Sequence, residues 1–320
     1  MENQFTTPIL LNTFNRPQET IRVLEVLKEN KVPVLYIHND GPRDNREDDA
    51  DNVSAVREIL DKSITWECEV HRLYEEKNLG CGMGPYTAMN WFFSNVEEGI
   101  IIEDDCVPHK DFFMYCQELL EEYRNRSDIV TIGGTCRHPV KRSQYSYHFS
   151  AFSEIWGWAT WKRVWDEYDF GFSVPDEDFV KSVRSFTHSK QVANHWLTIL
   201  HRTQKDGSSR SYWDFQLDLK NLYTHKTSIV PNSNLVSNIG FNERGTHTLS
   251  ASSCSELPTF SILPLKHPKK IKIRYLDNFE YDARWNRIKY LVKKCLGSYG
   301  SAGNGVLGGC DVRRDWGWTF

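Results

Sequence analysis

Between residues 8 and 134, short apolar runs alternate with stretches of helical period, and this rhythm restricts the possible folds more than any other feature of the chain. PILLNTF (8–14), VPVLYIHND (32–40), CEVHRLY (68–74), GIII (99–102) and DIVTIGG (128–134) read as strands. RPQETIRVLEVLKENK (16–31), a segment near 52–62, PYTAMNWFFSNVEE (85–98, proline at its start) and DFFMYCQELLEEYR (111–124) read as helices. Such repetition builds a parallel sheet covered by helices. In 111–124 the residues Phe112, Cys116, Leu119, Leu120 and Tyr123 recur at helical spacing, which gives one face to pack on that sheet.

The run GIII ends in three consecutive carboxylates, Glu103, Asp104 and Asp105. In parallel sheets ligands bind outside the carboxyl ends of strands, so these acids fall where substrates dock. Adjacent carboxylates repel one another, and a hard divalent cation that takes oxygen ligands and also holds phosphates relieves the repulsion. The competing reading is a solvated acidic turn before a helix that Asp111 caps.

A chain of 320 residues accommodates one elaborated domain or two modest ones. Its net charge of -4 excludes a global attraction to nucleic acid, and no nucleic acid partner is expected. There is no stretch of about 18 apolar residues, and MENQFTTP lacks a basic region followed by an apolar one, so a cytoplasmic location is expected. Eight cysteines without CxxC pairs read as reduced thiols rather than disulfides or zinc ligands. The 11 tryptophans include several between 156 and 165, and such rings serve as platforms for sugars as well as core fillers.

Four further segments carry chemistry, each beside a structural alternative. LLNTFNRP places Thr13, Asn15 and Arg16 after the first strand, where amides and a cation suit the base and phosphates of a nucleotide; the alternative is a helix start with Pro17 at its first position. YIHNDGPR offers Asp40 to a ribose hydroxyl or a uracil N–H, or else makes an Asp-Gly turn. KNLGCGMGPYTAMN supplies Lys77, Asn78 and Gly80 before a helix, in neither the dinucleotide nor the P-loop order. SRSYWDFQLDLKNL puts Asp214 and Asp218 on one helical face, as a general base or as ordinary helix charge.

From about 140 the rhythm gives way to aromatic segments and helices (SYHFSAF, WGWATWKRVWDEY, QVANHWLTILHRT, YWDFQLDLKNLY), read as a half that covers the sheet and builds the acceptor side of a cleft. TSIVP (227–231) reads as a late strand, followed by the polar loop NSNLVSNIGFNERGTHT, in which His247 offers an imidazole to a metal or a structural hydrogen bond. IKIRYL and RWNRIKYLVKKCLG are basic and partly amphipathic, which suits either an anionic membrane surface or a surface helix. The Gly-rich residues 297–320 carry no periodicity.

Taken in order, TFNRP, HNDGP, NLG, EDD, WGWATW, WDFQ and NIGFNERGTHT resemble the bacterial nucleotide-diphospho-sugar transferases of the Rossmann-like GT-A fold, including a hemolysin-like group. They are more distantly similar to the Golgi N-acetylglucosaminyltransferase that initiates hybrid N-glycans. The resemblance spans roughly residues 6 to 250 and implies a GT-A domain over 1–265, with a nucleotide-binding half (6–135) and an acceptor half (136–265), then a basic segment (266–296) and the tail. It implies Mn2+ or Mg2+ on Asp105 and His247, and a nucleotide-sugar donor with uridine as base. Thr13, Asn15, Arg16, Asp40, Lys77, Asn78, Gly80, Glu103 and Asp104 would hold that donor. Trp156, Gly157 and Trp158 would lie under the donor sugar and a glycan or lipid-linked acceptor.

The catalytic base implied is Asp214, the one survivor of an aspartate pair, since Phe215 takes the second place; Glu154 and Asp218 are the alternatives. Inverting transfer for surface polysaccharide or lipopolysaccharide assembly follows, with peripheral contact to the inner membrane through the basic segment. The Gly-rich, Arg-containing loop of sugar nucleotidyltransferases is replaced here by NTFNRP, which disfavours that class. A nucleotide-sugar or glycan-binding protein that has lost the chemistry is the other class of reading.

Overall fold

The computed structural model describes residues 4–137, 143–206, 211–240 and 256–275. The first third follows the expected order: β1 (Ile9–Thr13), α1 (Pro17–Glu29), β2 (Val34–Asn39), α2 (Asp49–Lys62), β3 (Glu69–Tyr74), α3 (Gly80–Phe93) and β4 (Glu98–Glu103). Then come β5 (Cys106–Pro108), α4 (Asp111–Glu122), β6 (Ile129–Gly133), β7 (Tyr147–Ser150), β8 (Trp158–Trp161), α5 (Lys162–Trp165), α6 (Asp176–Thr187), α7 (Lys190–Lys205), α8 (Asp214–Tyr223), β9 (Thr227–Pro231), β10 (Val236–Asn238) and β11 (Ile273–Arg274).

Among the described residues, nine strands form one sheet in the order β11, β7, β9, β6, β8, β4, β1, β2, β3, while β5 and β10 pair separately. β1 is parallel to both β2 and β4, and β2 to β3; β8 runs antiparallel between β4 and β6, so β4, β6 and β9 share the direction of β1. The protein is thus a mixed α/β fold built on a mainly parallel sheet flanked by helices.

Alternation along the central strands explains the two covers. Leu10, Tyr36, Ile101 and Trp158 enter one core with Met89 and Phe92 of α3 and Leu217 of α8. Ile9, Leu11, Ile37, Ile100 and Ile102 enter the other, with Leu24 and Leu27 of α1, Val56 of α2 and Leu119 of α4. Burying one such side chain contributes roughly 1.5–3 kcal/mol. A third core joins α6, α7 and α8 around Phe179, Trp196 and Leu222.

Four expectations change. β7 and β8 belong to the sheet itself, so the aromatic half extends the sheet as well as covering it. α3 starts at Gly80 rather than Pro85, because the carboxylate of Asp40 caps the amides of Leu79 and Gly80 and lets the glycine segment wind early. Asp111 does not cap α4: it accepts from Ser261 Oγ (2.6 Å) and from the amides of Ile262 (2.9 Å) and Leu263 (3.3 Å), fastening the late segment across the helix. Ile273 and Arg274, read with a basic amphipathic stretch, instead pair in parallel with Phe149 and Ser150 of β7. Residues 276–320, with most of that stretch and the Gly-rich tail, lie outside the described residues, as does His247. No helix among the described residues is long and apolar enough to cross a membrane.

Candidate active site

Because β8 opposes its neighbours, the ends of β1, β2, β4 and β6 share one edge of the sheet with the segment that leads into β8. Glu103 closes β4, and Asp104 and Asp105 follow it almost fully buried, at 4% and 7% exposure. Arg16, between β1 and α1, is their counter-ion. Its Nη1 lies 3.3 Å from Asp104 Oδ1 and pairs more tightly with Asp105 Oδ2. The second oxygen of Asp104 accepts the Phe14 amide (2.8 Å), and Cys106 Sγ lies 3.5 Å from Asp105 Oδ1.

The electrostatics follow from this burial. Burial raises the pKa of Glu103, and the charges of Asp105 and Asp104 raise it further. Asp104 is also raised by burial, against the pull of Arg16. Burial opposes the charge on Arg16, but Asp105, Asp104 and Glu103 outweigh it and the guanidinium pKa rises.

The pairing of β5 with β10 brings a remote segment to the cluster. The Ile239 amide donates to the Asp105 carbonyl (2.8 Å), and a Cβ on Gly240 would lie 2.0 Å from Asp105 Oδ2. Only glycine allows backbone that close to the carboxylate.

The remaining residues expected on a nucleotide side assemble around the same edge, several in other roles than expected. Asp40, expected to face a ribose or a base, accepts from the amides of Gly41 (2.9 Å), Leu79 (2.8 Å) and Gly80 (3.0 Å) and from Asn78 Nδ2 (3.0 Å). Those bonds occupy the acceptor sites of a carboxylate, so Asp40 and Asn78 clamp two loops together. Gly41 packs on the backbone of Lys77, whose side chain is exposed at the rim. Thr13 is likewise internal, donating to the His38 carbonyl (2.8 Å) and accepting from Asn39. Asn15 donates to Asp49 Oδ1 (2.7 Å), a carboxylate only 1% exposed that Arg43 also holds and whose pKa Arg43 lowers. Arg43 and Asp49 escaped the sequence reading. Arg43 in GPR was the available signal, as a second cation after a strand end.

Across the edge, Asp214 opens α8, and burial raises its pKa to about 6. Its charge in turn raises Glu103, so the two carboxylates sense each other. Asp218, one turn on, accepts the Ser153 amide (3.0 Å) and is raised to about 7, mainly by burial and further by Asp214 and Glu154. Glu154 pairs with Arg137 (3.2 Å), whose guanidinium lies 4.3 Å from the Trp156 ring. Cys81, in the first turn of α3, points Sγ at the Ser211 carbonyl (3.1 Å) and feels the charge of Asp214.

The aromatic platform is corrected in part. Trp158 is 1% exposed, stacks on Trp213 at 5.7 Å and fills a core, because its strand lies inside the sheet; it offers no open face to a sugar. Gly157, with positive φ, turns the chain just before it against Val236. Trp156 is buried too, its ring covered by Arg137.

A divalent ion fits what the cluster offers. Glu103, Asp105 and Cys106 present ligand atoms within 4.8 Å of one another. Of the three, the two carboxylates are the hard oxygen donors that such an ion prefers, and the Cys106 thiol is the soft one. A hard ion held by one or two carboxylates completes its shell with water and substrate phosphate, which suits Mg2+ or Mn2+.

Neither a family model nor a curated protein matches the sequence. Among solved structures the chain is similar to mouse xyloside xylosyltransferase 1 in its apo form, at 14% identity and TM-score 0.32, over 68% of this chain and 80% of that one. It is similar to HddC from Yersinia pseudotuberculosis at 12% identity and TM-score 0.31, over 51% and 80% of the two chains. A cytidylyltransferase from Leptospira borgpetersenii overlaps at 13% identity and TM-score 0.32, over 54% and 67%. Overlaps this shallow identify neither a family nor a substrate.

Proposed function

We propose that this chain is a metal-dependent, inverting glycosyltransferase of GT-A type. It transfers a sugar from a nucleoside-diphosphate sugar, with uridine as the base, to a hydroxyl of a glycan or lipid-linked saccharide. The observation that supports the reading is the meeting of the Glu103–Asp105 cluster with Asp214 at one sheet edge, where burial and then the charges of Asp105, Asp104 and Asp214 raise the pKa of Glu103. A buried carboxylate of pKa about 6, within electrostatic reach of a phosphate-binding cluster, suits a general base near neutral pH.

In this mechanism Asp214 takes the proton of the acceptor hydroxyl as that oxygen bonds to the anomeric carbon. The bond from the same carbon to the diphosphate oxygen breaks, and its electron pair leaves with the nucleoside diphosphate. Attack opposite the leaving group inverts the centre. Glu103 and Asp105 would hold the ion, which when bound neutralises charge on the departing diphosphate. Arg16 brings a positive charge to the same cluster, and the Asp40–Asn78 clamp fixes the loops around the base and ribose. The setting that fits is surface polysaccharide or lipopolysaccharide assembly in the cytoplasm at the inner membrane, as in the hemolysin-like group.

Asp214→Asn should retain donor binding and lose transfer, read by calorimetry with UDP-sugars and Mn2+ and by a radiolabelled-sugar assay. Undiminished turnover would sink the assignment of the base. A second reading, a nucleotide-sugar or glycan binder without chemistry, draws on Phe215, which packs against the α6–α8 core where the Golgi enzyme carries its second aspartate. Slow Mn2+-dependent hydrolysis of the donor separates the two, because a pure binder releases its ligand intact.

A further inference from the structure

Arg16 is bound to Asp105, one of the carboxylates that would hold an ion. Its Nη1 bridges Asp104 Oδ1 and Asp105 Oδ2. Asp104 Oδ2 is committed to the Phe14 amide, Asp105 Oδ1 has the Cys106 thiol beside it, and Gly240 closes the flank of Asp105 Oδ2. The guanidinium thus holds one oxygen of the carboxylate that a divalent ion needs from Asp105. Two cations on one buried carboxylate repel in a low-dielectric site, so they compete for it. Arg16 lies in the turn between β1 and α1, and a guanidinium released there has the fork geometry that binds phosphate oxygens in pairs.

We infer that Arg16 is the resident counter-ion of Asp104 and Asp105, and that it is exchanged for the divalent ion when a nucleoside diphosphate draws it away. The inference rests on the metal-dependent reading above and adds an order to it. The free protein binds the ion weakly, and the diphosphate makes ion binding strong. By reciprocity the ion strengthens diphosphate binding by the same factor.

Mn2+ binding followed by electron paramagnetic resonance, with and without UDP, tests this on the full chain. In the wild type UDP should tighten Mn2+ binding by about tenfold or more. Arg16→Gln should bind Mn2+ about tenfold more tightly than wild type without UDP and lose most of the UDP effect. Arg57→Gln removes a positive charge from α2 that donates to Asn39 Oδ1 (2.7 Å) and the Glu75 carbonyl (2.6 Å) instead, and should leave both quantities near wild type. Unchanged or weaker Mn2+ binding in Arg16→Gln overturns the inference while leaving the metal site standing, and an equal gain in Arg57→Gln overturns it in favour of a general charge effect.

Absence of Mn2+ binding in every variant, even with UDP, overturns the inference together with the metal-dependent reading. If Arg16→Gln is unfolded on its own, Mn2+ or methylguanidinium should restore its circular dichroism, since either cation neutralises the pair. Failure of both also overturns it.

Discussion

Asn78 donates through Nδ2 to Asp40 Oδ2 at 3.0 Å and to the Gly41 carbonyl at 2.9 Å, so the loop after β2 and the loop before α3 move as one piece. The Leu79 and Gly80 amides complete the clamp on the same carboxylate. Asp40→Ala strands these donors, and leaving buried donors unmade costs about 1–3 kcal/mol each, so a net loss of about 3 kcal/mol is expected. Urea denaturation should show it. UDP binding to the folded variant should also weaken, because Gly41 no longer rests against Lys77.

Asp214 must be ionised to accept a proton, and burial has raised its pKa to about 6. The transfer rate should therefore climb tenfold per pH unit below that value and level off above it. Asp214→Asn should flatten the profile and lower the rate by about 10²–10⁴. An acidic limb that survives in the variant assigns the base to another carboxylate.

Asp218 titrates near 7 in the folded chain, far above an unfolded aspartate. Between the two values the folded state holds a proton that the unfolded state has lost, so this contribution is present below about pH 4 and is lost as pH rises through 7. Asp218→Asn keeps an oxygen for the Ser153 amide and removes the titration. Its stability should fall less steeply than that of wild type from pH 4 to 8 in a thermal-denaturation series; parallel curves contradict the assignment.

The segment 256–275 is fastened by Asp111 and by a relay in which His267 bridges Tyr147 (2.8 Å) and Glu118 (2.9 Å). Asp111→Ala orphans two amides and a hydroxyl and should cost about 2 kcal/mol. Limited proteolysis should then cut between 256 and 275 faster than elsewhere in the described chain, while α4 stays protected.

The sheet was legible wherever burial left an unbroken apolar signature, as in Ile100–Ile102, and so was the acidic end of β4. β7 and β8 were not, since four-residue strands set among helices and aromatic residues have no length over which a period shows. At the site, Glu103–Asp105 stood out by local repulsion alone. Asp40 was ambiguous because a carboxylate that clamps a loop and one that meets a ligand have the same local sequence. The partners that decide between them are 38 to 40 residues away. Trp158 posed the same problem, since a ring for sugar and a ring for core differ only in what lies opposite, here Trp213. Gly240 against Asp105 could be found only through the pairing of β5 with β10.

The two residues of β11 have a consequence for handling the protein. Among the described residues they form the edge strand beside β7, whose buried run Tyr147–Ser150 would otherwise present open amides and carbonyls beside Phe149. An uncovered edge of that kind recruits strands from other molecules. A chain shortened to end before Ile273 would keep the carboxylates at the end of β4 and still be prone to self-association, so solubility and activity are guarded at separate places in this molecule.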